Sequence, residues 1–218
     1  MATQALEDAL NIIEILRQEY TAGVSELSKK LKLNKNKVFR IIATLELKGI
    51  VELDKETGKY RLGMNLIKLE HAYIKSLYFL DKAKQSIRAL RQEINENIYL
   101  AILHRKDVIY VYEEPVRKSV IVESPLAKRF KADKTATGRV LKRARKEVGF
   151  IVEYEIGSEI NEVATIVRDE FYYPIASLSV IAPSVRMPLE KIEKDIQHKL
   201  VETAEEITEI LAPTFSLD

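Results

Sequence analysis

Apolar residues in the first fifty positions recur every three or four residues, which is the spacing of a helix buried on one side. The pattern predicts a helix from Gln4 to Glu19 and two shorter helices between Ser25 and Gly49. The apolar positions of the three helices are Leu6, Ala9, Leu10, Ile13 and Leu16; Leu27 and Leu31; and Val38, Ile41, Ile42 and Leu45. Together they predict a three-helix core.

The two shorter helices are expected to meet at a tight turn formed by residues 32–34. Ser25 and Asn34 stand where N-caps are expected, because their side-chain oxygens accept from free N–H groups at a helix start. Gly49 stands at the expected C-terminal stop. Two helices joined in this way predict a helix-turn-helix, whose second helix enters the major groove of DNA.

Alternating apolar and polar positions follow the third helix. Residues 50–54 and 59–62 are predicted strands, and residues 55–58 form the turn, with Gly58 where positive φ is tolerated. A hairpin directly after a helix-turn-helix is a wing. Lys55, Lys59 and Arg61 give this wing positive charge, which suits contact with phosphate or the minor groove.

The remaining pattern predicts a linker helix from Asn65 to about residue 80, whose apolar stripe also suits a dimer contact, and a helix over residues 81–96. Strands are predicted over residues 98–104, 108–113, 119–123, 150–155, 162–167 and 174–182, and helices over residues 135–146 and 189–211. The expected fold class is α+β, with a mostly antiparallel sheet flanked by helices in the second half. The expected division is a winged helix-turn-helix at residues 1–63, a linker helix at 64–80 and a C-terminal domain at 81–218.

Composition excludes several classes of protein. Of 218 residues, 46% are hydrophobic and 31% are charged, and the absence of a long apolar run predicts no membrane span. The N-terminus lacks the basic and apolar regions of an export signal, so a cytoplasmic protein is expected. There is no cysteine, and the three histidines lack a second ligand at metal-binding spacing. Neither a metal nor a cofactor is predicted.

Charge is unevenly distributed along the chain. Residues 1–80 have 13 Lys and Arg against 10 Asp and Glu, whereas residues 81–218 have 22 against 23. Between Ser28 and Arg40 lie six basic residues and no acidic one. A solvated, lysine-rich helix face would give the same run by itself, but the adjoining turn and wing favour contact with DNA.

A second basic cluster lies at residues 128–146, where nine Lys and Arg stand against Asp133 alone. It suits a second nucleic-acid surface or an anionic ligand. The following residues, 147–170, contain seven carboxylates and one arginine. Charge pairing between the two segments, within the domain or across a subunit interface, accounts for both and is the favoured interpretation.

The N-terminal residues resemble the IclR family of bacterial and archaeal transcription regulators. The resemblance is carried by Ala5-Leu6-x-x-Ala9-Leu10, Glu26-Leu27-Ser28, Lys35-x-x-Val38-x-Arg40, the residues from Ala43 to Gly49, and the wing from Asp54 to Gly63. It implies a DNA-binding regulator that forms dimers, often paired into tetramers. It also implies that residues 81–218 form a GAF-like domain for effector binding and oligomerisation.

In that family the start of the second helix of the motif enters the groove, which implies the residues that contact DNA here. Asn36 and Arg40 are suited to reading bases, since Asn pairs with adenine and Arg with guanine. The better candidates for phosphate are Lys29, Lys30, Lys59 and Arg61. The predicted DNA-contact set is Ser25, Lys29, Lys30, Lys35, Asn36, Lys37, Arg40, Thr44, Lys59 and Arg61.

The second half resembles the family's sensing domain at Thr135-Ala136-x-Gly138-Arg139 and from Leu178 to Pro183. The resemblance implies a small carboxylic or aromatic effector. The effector contacts that it implies are Asp133, Thr135, Ala136, Gly138, Glu162 and Ser179.

Differences from the family concentrate at this predicted effector site. Asp133 stands where a histidine is common, Glu162 where a cysteine is frequent, and Phe171-Tyr172 where an Asp-Gly hairpin is usual. Ile181 and Ala182 stand where Ser and Gly are frequent. Roughly thirty residues that form two helices in the family are missing between residues 146 and 149, judged against ordinary helix lengths.

The leading hypothesis is a sequence-specific DNA-binding regulator whose affinity for DNA a small effector modulates. One alternative is a constitutive or architectural DNA binder whose C-terminal domain only oligomerises. Another is an enzyme that uses the winged helix for dimerisation. That class predicts a glycine-rich loop after a strand in the C-terminal half, which the sequence lacks, so no enzyme is expected.

Overall fold

The computed structural model describes residues 3–120 and 122–212, and the chain divides into two units between Ser76 and Leu77. The N-terminal unit contains α1 (Gln4–Glu19), α2 (Val24–Leu31), α3 (Lys35–Leu47), strands β1 (Val51–Asp54) and β2 (Lys59–Leu62), and α4 (Asn65–Ser76). The division lies inside the segment predicted as a linker.

The core of the N-terminal unit lies where α1, α2, α3 and the wing meet. Its buried residues are Ile12, Leu16, Ala22, Leu27, Val38, Ile42, Val51 and Tyr60. The wing is also held by backbone bonds: Tyr60 and Ala22 exchange two N–H···O bonds of 2.9 Å. The predicted three-helix core with a wing is therefore confirmed, and the hairpin is fixed to the loop before α2.

Helix α1 has the predicted bounds but buries a different side. Asp8, Ile12 and Leu16 are its buried residues, whereas Leu6 and Leu10 are 60% and 56% exposed. The prediction that Leu6 and Leu10 belong to the core was wrong. The core is filled instead by another apolar set on α1, Ile12 and Leu16 with the partly buried Ile15. On the same side the carboxylate of Asp8 lies 2.6 Å from Nζ of Lys37 on α3.

The predicted caps hold for α3 but not for α2. Oδ1 of Asn34 accepts from the N–H of Lys37 at 2.7 Å, and Gly49 adopts φ of 65° after the end of α3, as expected. Ser25 does not cap α2, because the helix begins at Val24 and Ser25 lies inside its first turn. Here the carboxylate of Glu26 accepts from the N–H of Gly23 at 2.8 Å and takes over the capping role.

The helix predicted to run to about residue 80 ends at Ser76, and α5 (Tyr78–Ile94) begins two residues later. Leu77 has ψ of 75°, which interrupts the helical backbone. The periodic pattern conceals this break, because Phe79 and Leu80 continue the apolar spacing and are both buried.

The C-terminal unit is built on a six-stranded antiparallel sheet with strand order β5-β4-β3-β8-β7-β6. The strands are β3 (Asn97–His104), β4 (Asp107–Glu114), β5 (Arg129–Lys131), β6 (Val152–Ile156), β7 (Ile160–Arg168) and β8 (Pro174–Pro183). With α5, the helices are α6 (Ala136–Arg143), the one-turn α7 (Leu189–Lys191) and α8 (Gln197–Leu211). A 3-10 turn at Ala132–Lys134 precedes α6, and a π-helical turn at Ile192–Ile196 joins α7 to α8.

Both faces of the sheet are covered. Tyr99, Ala164 and Ile166 pack with α6 on one face. The alternate positions Leu100 and Val163 are also fully buried, as expected for strands with a layer on each side. Helix α8 contacts both α5 and β7.

The predicted α+β class is confirmed, with antiparallel strands at five of the six predicted positions. The predicted strand at 119–123 is not found: residue 121 lies outside the described residues, and the other four are not in a strand. Strand β5 was not predicted, because its three residues are too few to show a period. Among the described residues no helix is long and apolar enough to cross a membrane.

Candidate nucleic-acid interface and a buried carboxylate site

One side of α3 is left free by the packing of the N-terminal unit. Val38 and Ile42 point into the core, and the residues on the side of α3 that faces away from the core remain exposed. The exposed set is Lys35, Asn36, Phe39, Arg40, Ala43 and Thr44. The first two turns of this face therefore present two cations and an amide, the groups that contact phosphates and base edges.

Within the described part of the chain, no ion pair engages Lys29, Lys35 or Arg40, three of the predicted DNA contacts. Four other predicted contacts hold carboxylates of their own unit. The pairs are Lys30 with Glu19, Lys37 with Asp8 at 2.6 Å, Lys59 with Glu26 at 3.0 Å and Arg61 with Glu52 at 3.6 Å. The pairs of Lys30, Lys59 and Arg61 are exposed and contribute little to stability, so they exchange readily for phosphate.

The Lys37 pair differs from the other three because its partner is buried. The hydrogen bonds from Lys37 and Gln4 hold the pKa of Asp8 below its ordinary value. A lysine that neutralises a buried carboxylate is tied to the core of its own unit. Sequence reasoning placed Lys37 at the DNA surface, whereas its ammonium is engaged with α1.

The remaining predicted DNA contacts are Ser25 and Thr44, and both are exposed. Thr44 donates from Oγ1 to the carbonyl of Arg40 at 3.0 Å, one turn earlier on α3. Its hydroxyl oxygen still has a free lone pair for an outside donor.

The turn of the wing is shaped by Asp54, whose carboxylate accepts from the N–H groups of Glu56 at 2.9 Å and Thr57 at 3.4 Å. These bonds lower the pKa of Asp54. The tip thus carries acidic as well as basic charge. The positive charge of the wing is that of Lys55 at the tip and of Lys59 and Arg61 on β2.

In the C-terminal unit, the predicted effector motif forms the start of α6. Oγ1 of Thr135 accepts from the N–H of Gly138 at 2.9 Å, which makes Thr135 the N-cap. A Cβ at Gly138 would lie 2.2 Å from the carbonyl oxygen of Ala132, so only glycine fits. The motif therefore fixes a helix start tightly against the preceding turn.

The carboxylate of Glu162 on β7 lies at this helix start and is buried. Oε2 accepts from the N–H of Ala136 at 2.8 Å. Oε1 accepts from Oγ1 of Thr137 at 2.5 Å, from the hydroxyl of Tyr110 at 2.9 Å and from the N–H of Thr137 at 3.3 Å. Four donors thus converge on one carboxylate in the interior of the unit.

Two tyrosines extend this polar region across the same face of the sheet. The rings of Tyr99 and Tyr110 meet edge to face with centroids 5.8 Å apart. Burial, followed by the nearby charge of Glu162, raises the pKa of Tyr110, so its hydroxyl stays protonated and donates. Tyr99 donates to Glu113 at 3.1 Å.

Five of the six predicted effector contacts come together in this region. Thr135, Ala136 and Gly138 begin α6, and Glu162 bonds to that start. Ser179 is fully buried on β8, where its register partner is Ala164, and its Oγ has no hydrogen-bond partner in the described part of the chain. Asp133 is the exception: it is exposed and pairs with Lys142.

Sequence reasoning missed Arg168 at the other end of β7. This buried arginine donates to the backbone carbonyls of Ala144, Glu147, Gly149 and Tyr172 at 2.8–3.3 Å. Burial lowers the pKa of its guanidinium. A single arginine inside an acidic segment was the available signal, since a lone arginine on an apolar strand needs internal acceptors.

The basic cluster at residues 128–146 is largely paired inside the unit. Arg139 contacts Glu153 at 3.2 Å and Glu155 at 2.6 Å. Arg143 contacts Glu147 at 2.8 Å and also Glu153. The predicted pairing with the acidic segment is therefore confirmed for these two arginines.

Comparison with known families matches the chain in two places. Residues 5–55 match the "IclR helix-turn-helix domain", and residues 71–155 match "Bacterial transcriptional regulator IclR C-terminal". Among curated proteins, the regulator XynR of Escherichia coli is 30% identical over 63% of this chain and 55% of its own length. The regulator KdgR of Escherichia coli is 25% identical over 84% of this chain and 83% of its own length.

Solved structures with the same fold include an IclR homolog from Microbacterium hydrocarbonoxydans in complex with 4-hydroxybenzoate. It has a TM-score of 0.78 and 19% identity, over 95% of this chain and 99% of its own. The IclR of Thermotoga maritima has a TM-score of 0.74 and 20% identity, over 95% and 98% of the two chains. At this identity the likeness establishes the fold.

Proposed function

The chain belongs to the IclR family of transcriptional regulators, and we propose that it binds duplex DNA in the cytoplasm through the winged helix of residues 1–63. The observation that carries the proposal is the exposed first half of α3, where Lys35, Asn36 and Arg40 face outward with no acidic partner among the described residues. The cations of β2 add a second contact. Such a surface suits a helix in the major groove with a wing on the backbone.

Within this arrangement the side chains have different roles. Arg40 reads guanine through two parallel hydrogen bonds and Asn36 reads adenine, each supplying about 1–3 kcal/mol of discrimination. Lys29, Lys30 and Lys35 bind phosphates, which adds affinity without sequence information. Lys37 acts mainly inside the unit, because its partner Asp8 is buried.

The test is to select bound sequences from a random DNA pool and compare wild type with Arg40→Ala. Wild type should recover a motif, and Arg40→Ala should lose preference at one or two positions of it. Arg117→Ala is the matched control, since Arg117 is an exposed arginine of the C-terminal unit. If Arg40→Ala recovered the same motif as wild type, base recognition by this face of α3 would be contradicted.

We also propose that the protein acts as a dimer. Helix α4 supports this, because none of its residues is buried although it carries several large apolar side chains. Leu69 and Tyr73, which are one turn apart on the same side of the helix, are 60% and 52% exposed. An apolar face of this kind is typical of an interaction surface. Two copies would read two half-sites about one helical turn apart, and pairs of dimers would give a tetramer.

Leu69→Glu tests the dimer, because a buried charge at the contact would oppose association. Sedimentation velocity should show a shift from dimer towards monomer in this variant. Lys68→Glu, one position away and also exposed, is the control and should leave association unchanged. Equal association of wild type and Leu69→Glu would place the interface elsewhere.

We propose that the C-terminal unit controls the DNA-binding modules by favouring one of their arrangements. The complex of an IclR homolog with 4-hydroxybenzoate supports control by a small acid. A second candidate, a constitutive DNA binder, is favoured by the bonds of Glu162, which already fill the donors at the start of α6. A thermal-shift screen of small carboxylic and aromatic acids on wild type separates the two candidates. Stabilisation by a compound would favour effector control, and stabilisation by none would favour the constitutive DNA binder.

A further inference from the structure

The start of α6 has the chemistry of an anion-binding site. Free N–H groups and the helix dipole make a helix N-terminus attractive to a negative charge. The cap residue Thr135 satisfies the third N–H group, that of Gly138. The N–H groups of Ala136 and Thr137 both reach the carboxylate of Glu162.

Side chains complete the site around that helix start. The hydroxyls of Tyr110 and Thr137 both donate to Oε1 of Glu162, and both residues are at least 98% buried. No lysine or arginine within the described residues pairs with this carboxylate. These four convergent neutral donors match the hydrogen bonds that a carboxylate accepts.

A further polar group beside the site has no partner. Ser179 is completely buried, and its Oγ has no hydrogen-bond partner in the part of the chain that the structure describes. Strand register pairs Ile181 with Glu162 and Ser179 with Ala164, so Ser179 lies on the same sheet face, two residues along β8. Glu162 does not bond to this hydroxyl, so Ser179 is a free polar group for an external carboxylate once Glu162 is shortened.

We propose that the start of α6, together with Tyr110, Thr137 and Ser179, is a binding site for a small carboxylate, and that the side chain of Glu162 is its built-in occupant. An external carboxylate is excluded in wild type because its donors are already engaged. Shortening Glu162 opens the site. In Glu162→Ala the missing atoms are one methylene and one carboxylate, which acetate replaces.

The test is thermal unfolding of the full chain with sodium acetate, with sodium chloride at equal ionic strength as reference. Acetate should raise the Tm of Glu162→Ala in a saturable way, by about 3–6 °C at roughly ten times its dissociation constant. Wild type should have the same Tm in both salts. Acetamide, the neutral counterpart of acetate, should give no rise in Glu162→Ala.

Ile166→Ala is the matched control, because it also opens space on the α6 face of β7 but leaves no free anion donors. Acetate should not stabilise it beyond chloride. The proposal is overturned if acetate fails to stabilise Glu162→Ala beyond chloride. It is also overturned if acetate stabilises wild type or Ile166→Ala to the same extent.

Glu162→Gln provides a second test if Glu162→Ala does not fold. Glutamine has the same size as glutamate, but only one of its two terminal atoms is an oxygen that accepts hydrogen bonds. The amide proton of Ala136 or of Thr137, whichever loses its acceptor, should exchange with solvent about tenfold faster than in wild type, the effect of one lost charge-assisted hydrogen bond. The amide of Ala144, bonded to Val140 at 2.9 Å, is the internal control. Unchanged exchange at Ala136 and Thr137 would overturn the proposal.

The regulatory consequence rests on the second candidate of the proposed function, the constitutive DNA binder: with its own carboxylate in place, the unit is held in one state without an external acid. The site itself does not depend on that function. All of these measurements use protein without DNA, so failure of the carboxylate site and failure of DNA binding are observed separately.

Discussion

The starts of α3 and α6 show the same local chemistry in two different surroundings. Each is capped by a side-chain oxygen that accepts from the N–H three residues later: Asn34 from Lys37 at 2.7 Å, and Thr135 from Gly138 at 2.9 Å. In both cases the cap leaves the earlier N–H groups of the helix to find other partners.

The two starts differ in what meets those remaining groups. At α6 they are buried and bonded to Glu162. At α3, Lys35 and Asn36 are exposed, and the charges around them are positive. An open, cationic start is suited to an external anion such as a DNA phosphate, whereas a closed start is satisfied from within. Surroundings, more than the cap, decide what a helix start binds.

The largest expected effect is on stability at the closed start. Glu162→Ala leaves four buried donors without their acceptor and should lower the free energy of unfolding by about 3–5 kcal/mol. Urea unfolding followed by circular dichroism measures it. Glu159→Ala, at an exposed carboxylate before the same strand, should change stability by less than about 0.5 kcal/mol. Equal effects of the two substitutions would contradict the closed start.

At the open start the effect should fall on DNA binding instead. Asn36→Ala should weaken binding to the selected duplex by about 1–3 kcal/mol, because one base-specific pair is lost. Its urea unfolding should match wild type, since Asn36 is exposed. Fluorescence anisotropy with the selected duplex and a scrambled one measures the loss. An equal loss on both duplexes would mean that Asn36 contacts only the backbone.

Much of the N-terminal unit was predictable because its signals are local. Helical spacing gave the bounds of α1, and Asn34, Gly49 and Gly58 marked the cap, the stop and the turn. The buried side of α1 was not predictable, because Ile12, Ile15 and Leu16 form a second apolar set at helical spacing and the choice between the two sets depends on contacts with α3.

The buried carboxylate site was only partly predictable. The start of α6 follows from its local motif at Thr135 and Gly138. The bonds from Glu162 and from Tyr110 join residues on separate strands, β7 and β4, which no local period connects. Arg168 escaped prediction for the same reason, because its acceptors are carbonyls of two loops and a helix end.

The caps Asn34 and Thr135 can be compared directly, and the expected loss of stability is smaller. Asn34→Ala and Thr135→Ala should each lower stability by about 1 kcal/mol, the usual effect of removing a cap. Only Asn34→Ala should also weaken DNA binding, since it changes the start of the recognition helix. Urea unfolding and anisotropy on both variants decide this. If Thr135→Ala weakened DNA binding as much as Asn34→Ala does, the start of α6 would also influence DNA binding.

The smallest expected effect concerns a buried carboxylate that cations hold. Glu96 is bound by Arg186 at 2.8 Å and Lys118 at 2.7 Å. Burial alone would raise the pKa of Glu96, but these partners outweigh it and hold the pKa below its ordinary value of 4.5. Its contribution to stability is therefore present at neutral pH and is lost as pH falls below 4.5, through the lowered pKa of the folded state.

Urea unfolding of wild type and Glu96→Gln between pH 7 and pH 3 measures this dependence. The stability difference between the two proteins should shrink as pH falls. A difference that stays constant down to pH 3 would show that the charge of Glu96 contributes nothing. The result would sharpen the contrast with Glu162, which is held by neutral donors.

The most direct test of the central proposal is the salt dependence of binding to the selected duplex. For wild type, the logarithm of the association constant should fall linearly with the logarithm of salt concentration, because bound phosphates release counterions. The double variant Lys29→Ala/Lys35→Ala should lower the magnitude of the slope by about 1.8, or about 0.9 for each lost phosphate contact. A slope near zero in wild type, or the same slope in the double variant, would contradict DNA binding by this face of the winged helix.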